Sequence, residues 1–220
     1  MDAASVPAPL KPRFRGVSHQ WAFFCSLVAG AVLVMSADTG RARLALGIYA
    51  VTVSGLFGVS ALYHRVTWTT ERARRWMRRL DHSMIFLLIA GTYTPFAVLA
   101  LDGTLATAIL IAVWGGALAG IVMKLVWIGA PKVVVAATYV ALGWVAVAAF
   151  PELFDSIGAV GTLLLAAGGA LYTAGAVVYA TRRPDPVPAV FGYHEVFHVL
   201  VILAAVLQFA VVAGWVVPGA

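Results

Sequence analysis

Near its C-terminus the chain contains HEVFHVLVILAAVLQFAVVAGWVV, residues His194–Val217, which carries the clearest signal for its architecture. From residue 195 to 217 nearly every side chain is apolar, and about 20 apolar residues in a helix cross a hydrocarbon core of about 30 Å. The stretch opens with two histidines, His194 and His198. At positions i and i+4 two imidazoles share one helix face and can present two nitrogens to a single zinc ion. A lone histidine at a membrane interface is more often a cap than a ligand, but a pair at this spacing favours a metal site.

The composition of the whole chain points to the same class of protein. Of its 220 residues, 62% are hydrophobic and 11% are charged, whereas a soluble domain carries about 25% charged residues. Apolar runs long enough to cross a membrane occur seven times, near residues 20–37, 44–64, 83–101, 105–127, 133–150, 157–180 and 195–217. We therefore predict an all-α membrane protein with a seven-transmembrane helix bundle over residues 19–220. Residues 1–18 are predicted to form a cytoplasmic N-terminal tail.

The distribution of basic residues predicts how the bundle is oriented. The formal net charge is +6, which taken alone is also compatible with nucleic-acid binding. Lysine and arginine, however, fall into the N-terminal tail and every second loop, and only Arg41 and Arg43 lie in the alternate set. The positive-inside rule then predicts a cytoplasmic N-terminus and, with seven spans, a C-terminus outside. Because the positive charge follows the topology, we expect no nucleic-acid partner.

The longest loop, residues 65–80, has a pattern of its own. Ala73, Trp76, Met77 and Leu80 recur at helical spacing between arginines. This pattern is typical of a short amphipathic helix that lies on the membrane surface, with its apolar stripe in the interface and its arginines on anionic headgroups. We predict such a helix on the inner leaflet.

The predicted topology brings four ionisable side chains to the cytoplasmic end of the bundle: His64, Asp81, His194 and His198. Ionisable groups inside a membrane are costly and usually face a cavity or a partner, so four at one depth are best explained together. Three neutral imidazoles leave the fourth position of a zinc ion open, as in catalytic sites, and Asp81 would hydrogen-bond a bound water or orient a ligand. Ser60 lies one turn before His64, and its hydroxyl has either a role in the site or a bond to its own helix backbone.

Two further histidines are weaker candidates for this cluster. His82 adjoins Asp81 but points about 100° around the helix, so we do not expect it to be a ligand. His19 lies at the head of the first span, where a role as an interfacial anchor is favoured over membership of the cluster.

Several motifs together resemble the hemolysin III family of bacterial membrane proteins, which is related to the progestin and adiponectin receptors and more distantly to the alkaline ceramidases. The motifs are RGVSH (Arg15–His19), SALYH (Ser60–His64), LDHSMIFLLIAGTYTPF (Leu80–Phe96) and GYHEVFH (Gly192–His198). The resemblance implies a seven-helix bundle in the bacterial inner membrane with a zinc ion on the cytoplasmic side. It implies that His64, His194 and His198 bind the metal and that the family's serine and aspartate are Ser60 and Asp81. Glu195 departs from the adiponectin-receptor pattern, in which a glutamine is usual.

Three classes of function fit these observations. In the first, zinc activates water against an amide or ester bond of a membrane lipid held in the bundle, Asp81 or Glu195 takes the proton and Ser60 helps to hold the oxyanion. The resemblance to ceramidases favours this class. In the second, the zinc is structural and the protein senses or regulates membrane state, as the resemblance to receptors indicates. The third is a pore-forming cytolysin, after the name of the family. The HExxH pattern alone would also fit an intramembrane metalloprotease, whose ligands would be expected deeper in the bilayer.

Overall fold

The computed structural model describes residues 11–219, and over that range the fold is helical. The helices are α1 (Val17–Met35), α2 (Gly40–Arg65), α3 (Glu71–Leu99), α4 (Gly103–Val126), α5 (Lys132–Gly143), α6 (Phe150–Thr181) and α7 (Tyr193–Val211). A 3₁₀ segment, Trp144–Ala149, joins α5 to α6, and a π-helix, Val212–Val216, followed by a 3₁₀ turn, Val217–Gly219, prolongs α7. No β-strand occurs within residues 11–219, which confirms the predicted all-α class. Ala220 and the first ten residues of the predicted tail 1–18 lie outside the described residues.

Six helical stretches are long and apolar enough to cross a membrane. They are α1, α2, α3, α4, the continuous 50-residue stretch Lys132–Thr181, and α7 with its extension to Gly219. Large apolar side chains such as Trp21, Val28 and Leu163 lie on the outer surface of the bundle, as expected where lipid takes the place of water. The chain is therefore a multi-pass membrane protein.

Helix packing brings three distant parts of the chain to one end of the bundle. The most extensive contacts are those of α1 with α2, α2 with α3, and α6 with α7, and α7 also contacts α1. Short connections make consecutive helices antiparallel neighbours. The start of α1, the end of α2 and the start of α7 therefore lie at the same end.

The arginine-rich segment 65–80 is not the separate surface helix that its pattern predicts. Helix α3 begins at Glu71, where Thr70 accepts a hydrogen bond from the Ala73 N–H at 3.2 Å, and continues to Leu99. With 29 residues it is about 44 Å long, which exceeds the hydrocarbon core of about 30 Å by two to three turns. Since no glycine or proline interrupts residues 71–80, the amphipathic segment continues directly into the third span.

The predicted fifth and sixth spans are not separated by an open loop. The helical geometry between them is interrupted at a single glycine, Gly158. Helix α6 starts earlier than predicted, at Phe150, with Pro151 in its first turn. Gly158 then breaks the helical geometry with φ 69° and ψ 175°, a conformation that only glycine adopts readily. A substitution at Gly158 would strain this break.

Candidate metal centre

Three histidines converge at the end of the bundle where α1, α2 and α7 meet. His64 lies in the last turn of α2, and His194 and His198 lie in the first turns of α7. One nitrogen of each ring lies within 4.8 Å of the others, and the His64 Nε2 and His194 Nε2 atoms are 3.1 Å apart. His64 and His198 are buried and His194 is half-buried. The three side chains are thus close enough to bind one metal ion.

The donor set fits a zinc ion. Tetrahedral coordination with Zn–N bonds of about 2.1 Å separates two ligand nitrogens by about 3.4 Å, close to the 3.1 Å observed between the two Nε2 atoms. Without an ion, two neutral imidazoles at this distance can share only one proton. The His198 Nδ1 is also buried with no hydrogen-bond partner among residues 11–219. A cluster of buried imidazoles with unpaired nitrogens is the chemistry that a cation satisfies.

The helix start that carries two of these histidines is held by Glu195. Its Oε2 accepts a hydrogen bond from the Gly192 N–H at 2.8 Å, one half of a capping arrangement. The backbone N–H of the next residue, Tyr193, donates to Asp185 Oδ1 at 2.7 Å. These bonds fix the first turn of α7, and His194 and His198 therefore share one face of an ordered helix.

The other oxygen of Glu195 meets a residue that lies far away in sequence. Arg15 Nε is 2.6 Å from Glu195 Oε1. The N–H is not aligned for a hydrogen bond, so the contact is an ion pair. Gly16 makes the approach possible because its left-handed φ of 77° turns the chain, and a Cβ there would lie 2.6 Å from the Cβ of His64. One Glu195 oxygen thus caps α7 and the other holds the segment before α1 to α7, which leaves Asp81 as the carboxylate that faces the histidines.

Asp81 lies beside the three histidines on α3, and its Oδ2 is 3.9 Å from His64 Nε2. It also lines the cavity next to His194 and His198. At this separation the carboxylate is too far away for a direct hydrogen bond but is within reach through one water molecule.

His19 and Ser60 form a second contact inside the same cluster. The prediction that His19 is an interfacial anchor is wrong, because the side chain is only 2% exposed. Its Nδ1 is 2.8 Å from Ser60 Oγ, and its ring stacks on His198 with centroids 3.7 Å apart. Ser60 thus has a partner from another helix. The residue pattern around the first span does not predict the contacts of His19 with Ser60 and His198. Only the RGVSH motif, Arg15–His19, indicated that this segment is important.

His82 remains apart from the three histidines, as its position on the helix predicts. Its Nδ1 is 2.7 Å from the Arg78 carbonyl oxygen and its Nε2 is 3.2 Å from the Tyr179 hydroxyl. Both ring nitrogens therefore have partners of their own.

A cavity of about 130 Å³ opens from the cluster into the bundle. Its wall is mainly apolar and includes His19, Asp81, His194 and His198 at one end and Tyr172 and Gln208 further along. His194 and Gln208 lie on the same helix, fourteen residues apart, or about 21 Å. The site can therefore accommodate a long apolar group whose end lies against the histidines.

Comparison with known proteins gives consistent matches over this region. The model of the family described as Haemolysin-III related matches residues 8–209. Hemolysin-3 of Bacillus cereus is 31% identical over 209 residues, which cover 93% of this chain and 91% of that protein. The Hemolysin-3 homolog of Bacillus subtilis (strain 168) is 31% identical over 180 residues, 81% of each chain. The Monocyte to macrophage differentiation factor of Homo sapiens is 24% identical over 214 residues, 92% of this chain and 87% of the human protein. Each match extends over most of the chain.

Proposed function

This chain belongs to the haemolysin-III-related family, as its motifs predicted, and from that premise we propose that it is a zinc-dependent hydrolase that cleaves an amide or ester bond of a membrane lipid. The observation that carries the proposal is the position of three histidines and one carboxylate at the end of an apolar cavity within a membrane bundle. A hydrolase for a lipid needs such a combination, because the chain of the substrate must be buried while its polar linkage meets the catalytic groups.

His64, His194 and His198 hold the ion in this proposal. A zinc ion bound by these residues would supply two things, polarisation of the substrate carbonyl and a water molecule activated as the nucleophile. Asp81 accepts the proton of the attacking water and then delivers it to the leaving group. Its Oδ2 is 3.9 Å from His64 Nε2, beyond hydrogen-bond distance, so His64 does not compete for that proton.

Ser60 supplies a hydrogen bond to the substrate oxygen on which negative charge develops. With its ring proton on Nδ1, His19 donates to the Ser60 oxygen across the 2.8 Å contact. The Ser60 O–H, which lies beside Asp81, is then available to donate to that substrate oxygen. His19 is a positioning residue in this scheme, since it acts through Ser60.

We propose that the bundle has seven spans and sits in the inner membrane of a bacterium. The stretch Lys132–Thr181 has 50 residues, about 75 Å of helix, which is enough for two crossings of about 30 Å each. The acidic residues Glu152 and Asp155 and the break at Gly158 provide the turn between the two crossings. The N-terminus is cytoplasmic, the C-terminus lies outside, and the metal centre faces the cytoplasm.

Reporter fusions test this topology. A phosphatase that is active only outside the cytoplasm is expected to be active when fused after Ser156 or at the C-terminus, and inactive when fused after Pro131 or Arg183. A fluorescent protein that folds only in the cytoplasm should give the opposite pattern, which controls for expression. A C-terminal fusion that is fluorescent and lacks phosphatase activity would contradict the proposed orientation. If the Pro131 and Ser156 fusions both lie on the same side of the membrane, the proposal that residues 132–181 cross it twice would be contradicted.

The proposed activity is tested with purified protein of known metal content. We expect hydrolysis of at least one member of a panel of lipid amides and esters, loss of that activity after chelation, and its return when zinc is added back. If zinc-loaded protein hydrolyses no member of a broad panel, the alternative of a sensor or regulator with a structural zinc replaces the hydrolase. The name of the Bacillus cereus relative, Hemolysin-3, favours a pore-forming cytolysin as a further alternative, for which dye release from vesicles is the assay.

A further inference from the structure

Two polar groups on the cavity wall, Tyr172 and Gln208, have no role in the chemistry described above. The hydroxyl of Tyr172 and the Oε1 of Gln208 are buried and have no hydrogen-bond partner among residues 11–219. Gln208 is 6% exposed, and both side chains line the same cavity as the histidines. An unpaired buried polar atom is costly, more so where lipid surrounds the protein and water is scarce.

The orientation of the Gln208 amide follows from its one bond. Its Nε2 donates to the Leu165 carbonyl oxygen at 3.3 Å, and a carbonyl can only accept, so the nitrogen must face Leu165. Gly168 makes room for this arrangement, because a Cβ there would lie 2.7 Å from the same nitrogen. The bond to Leu165 ties α7 to α6, as polar residues in membrane bundles often do. It accounts for the amide nitrogen and leaves the oxygen as an acceptor on the cavity wall.

Tyr172 offers the complementary chemistry. A phenol hydroxyl donates as well as accepts, whereas a phenylalanine would pack against an apolar chain without the cost of an unpaired hydroxyl. The cavity, at about 130 Å³, has room for far more than one water molecule, which needs about 10–15 Å³. Gln208 contacts Gly168 of α6, and Tyr172 lies four residues further along that helix, or about one turn. The cavity wall therefore presents one acceptor and one donor about one helical turn apart.

We infer that Gln208 and Tyr172 form a second binding subsite, remote from the histidines, which recognises a hydroxyl group on the chain of the lipid ligand. A hydroxyl donates to Gln208 Oε1 and accepts from the Tyr172 O–H. A ketone can only accept and pairs with Tyr172 alone, and an unsubstituted chain leaves both groups unpaired. The inference rests on the proposed function in one respect, that a lipid chain occupies the cavity. It adds that the preferred chain is hydroxylated at the depth of Gln208, ten residues or about 15 Å along α7 beyond His198.

The experiment measures binding of long-chain fatty N-methylamides in three matched forms: an unsubstituted chain, a chain with one hydroxyl, and a chain with one ketone. The substituent is moved carbon by carbon from the middle to the far end of the chain. Competition against a radiolabelled unsubstituted amide is measured with the Asp81→Asn protein in lipid nanodiscs, so that hydrolysis of the probes is slow. At one position along the chain we expect the hydroxylated amide to bind about 10-fold more tightly than the unsubstituted one, with the ketone between them.

Variants assign the preference to the two side chains. Gln208→Leu should abolish the advantage of the hydroxyl over the ketone, and Tyr172→Phe should abolish the advantage of the ketone over the unsubstituted chain. Ser83→Ala is the matched control, because the Ser83 hydroxyl is also buried without a partner among the described residues but lies off the cavity wall. It should keep the full preference. Melting curves of all three variants establish that each is folded.

Equal affinities for the three chain types at every position would overturn the inference, since water would then satisfy the two groups equally well. A preference that survives both Gln208→Leu and Tyr172→Phe would overturn it as well. Failure of the proposed function is distinguishable, because the hydrolysis panel reports it separately. A preference for the hydroxylated chain without any hydrolysis would support the subsite and contradict the proposed hydrolase activity. Hydrolysis without such a preference would support the hydrolase activity and contradict the subsite.

Discussion

Replacement of Asp81 by asparagine is expected to lower the rate of lipid hydrolysis by about 10²–10⁴-fold, the usual contribution of a general base. Asparagine has nearly the same shape as aspartate but cannot accept the proton of the attacking water. The three histidines remain in this variant, so zinc should stay bound and the melting temperature should change little. The measurement is the turnover rate of the zinc-loaded variant on the best substrate of the panel.

Ser60→Ala provides the comparison for Asp81→Asn. It removes one donor to the developing oxyanion and should cost less, about 10²-fold at most. If the zinc only ties helices together, both variants should instead keep whatever cellular phenotype the protein has, with a modest loss of stability. Full activity of a zinc-replete Asp81→Asn protein would end the proposal that Asp81 is the general base.

Some features of the site follow from local sequence because they depend on helical periodicity and hydropathy alone. The spacing of His194 and His198 fixes their shared face on any helix. The alternation of charged loops predicts that His64 and Asp81 lie at the same end of the bundle as that pair. In the structure His64 Nε2 and Asp81 Oδ2 are 3.9 Å apart. The apolar runs also marked the helices, although the boundary near Gly158 and the early start of α6 at Phe150 depend on backbone geometry that hydropathy does not describe.

Other features could not be predicted because they arise only when distant segments pack. The ion pair of Arg15 with Glu195 requires the left-handed turn at Gly16 that carries the chain over the end of α2. The same turn buries His19 against His198, whereas its place at the head of an apolar run indicated an interfacial anchor. The prediction of a separate surface helix over the arginine-rich segment 65–80 was wrong for another reason. An amphipathic pattern is the same in a surface helix and in the protruding first turns of a long transmembrane helix such as α3.

Removal of the metal ligands is expected to have the second large effect. Alanine at His64, His194 or His198 leaves two imidazoles and an additional cavity, so we expect most of the bound zinc to be lost. Because the site joins α2 to α7, metal removal should also lower stability. An ion present at about 1,000 times its Kd contributes about 4 kcal/mol, equivalent to about 10 °C in melting temperature for a chain of this size. An unchanged melting curve after verified metal removal would count against a site that bridges the two helices.

The zinc content of the purified protein is the most direct test of the metal centre. Protein prepared without a polyhistidine tag is saturated with zinc, freed of excess ion and analysed for metal per chain. We predict about one zinc per wild-type chain, little in His194→Ala and His198→Ala, and a full complement in His82→Ala, which removes a buried histidine that lies outside the cluster. Undiminished zinc in His194→Ala and His198→Ala, or wild-type protein that retains no zinc, would contradict the three-histidine site.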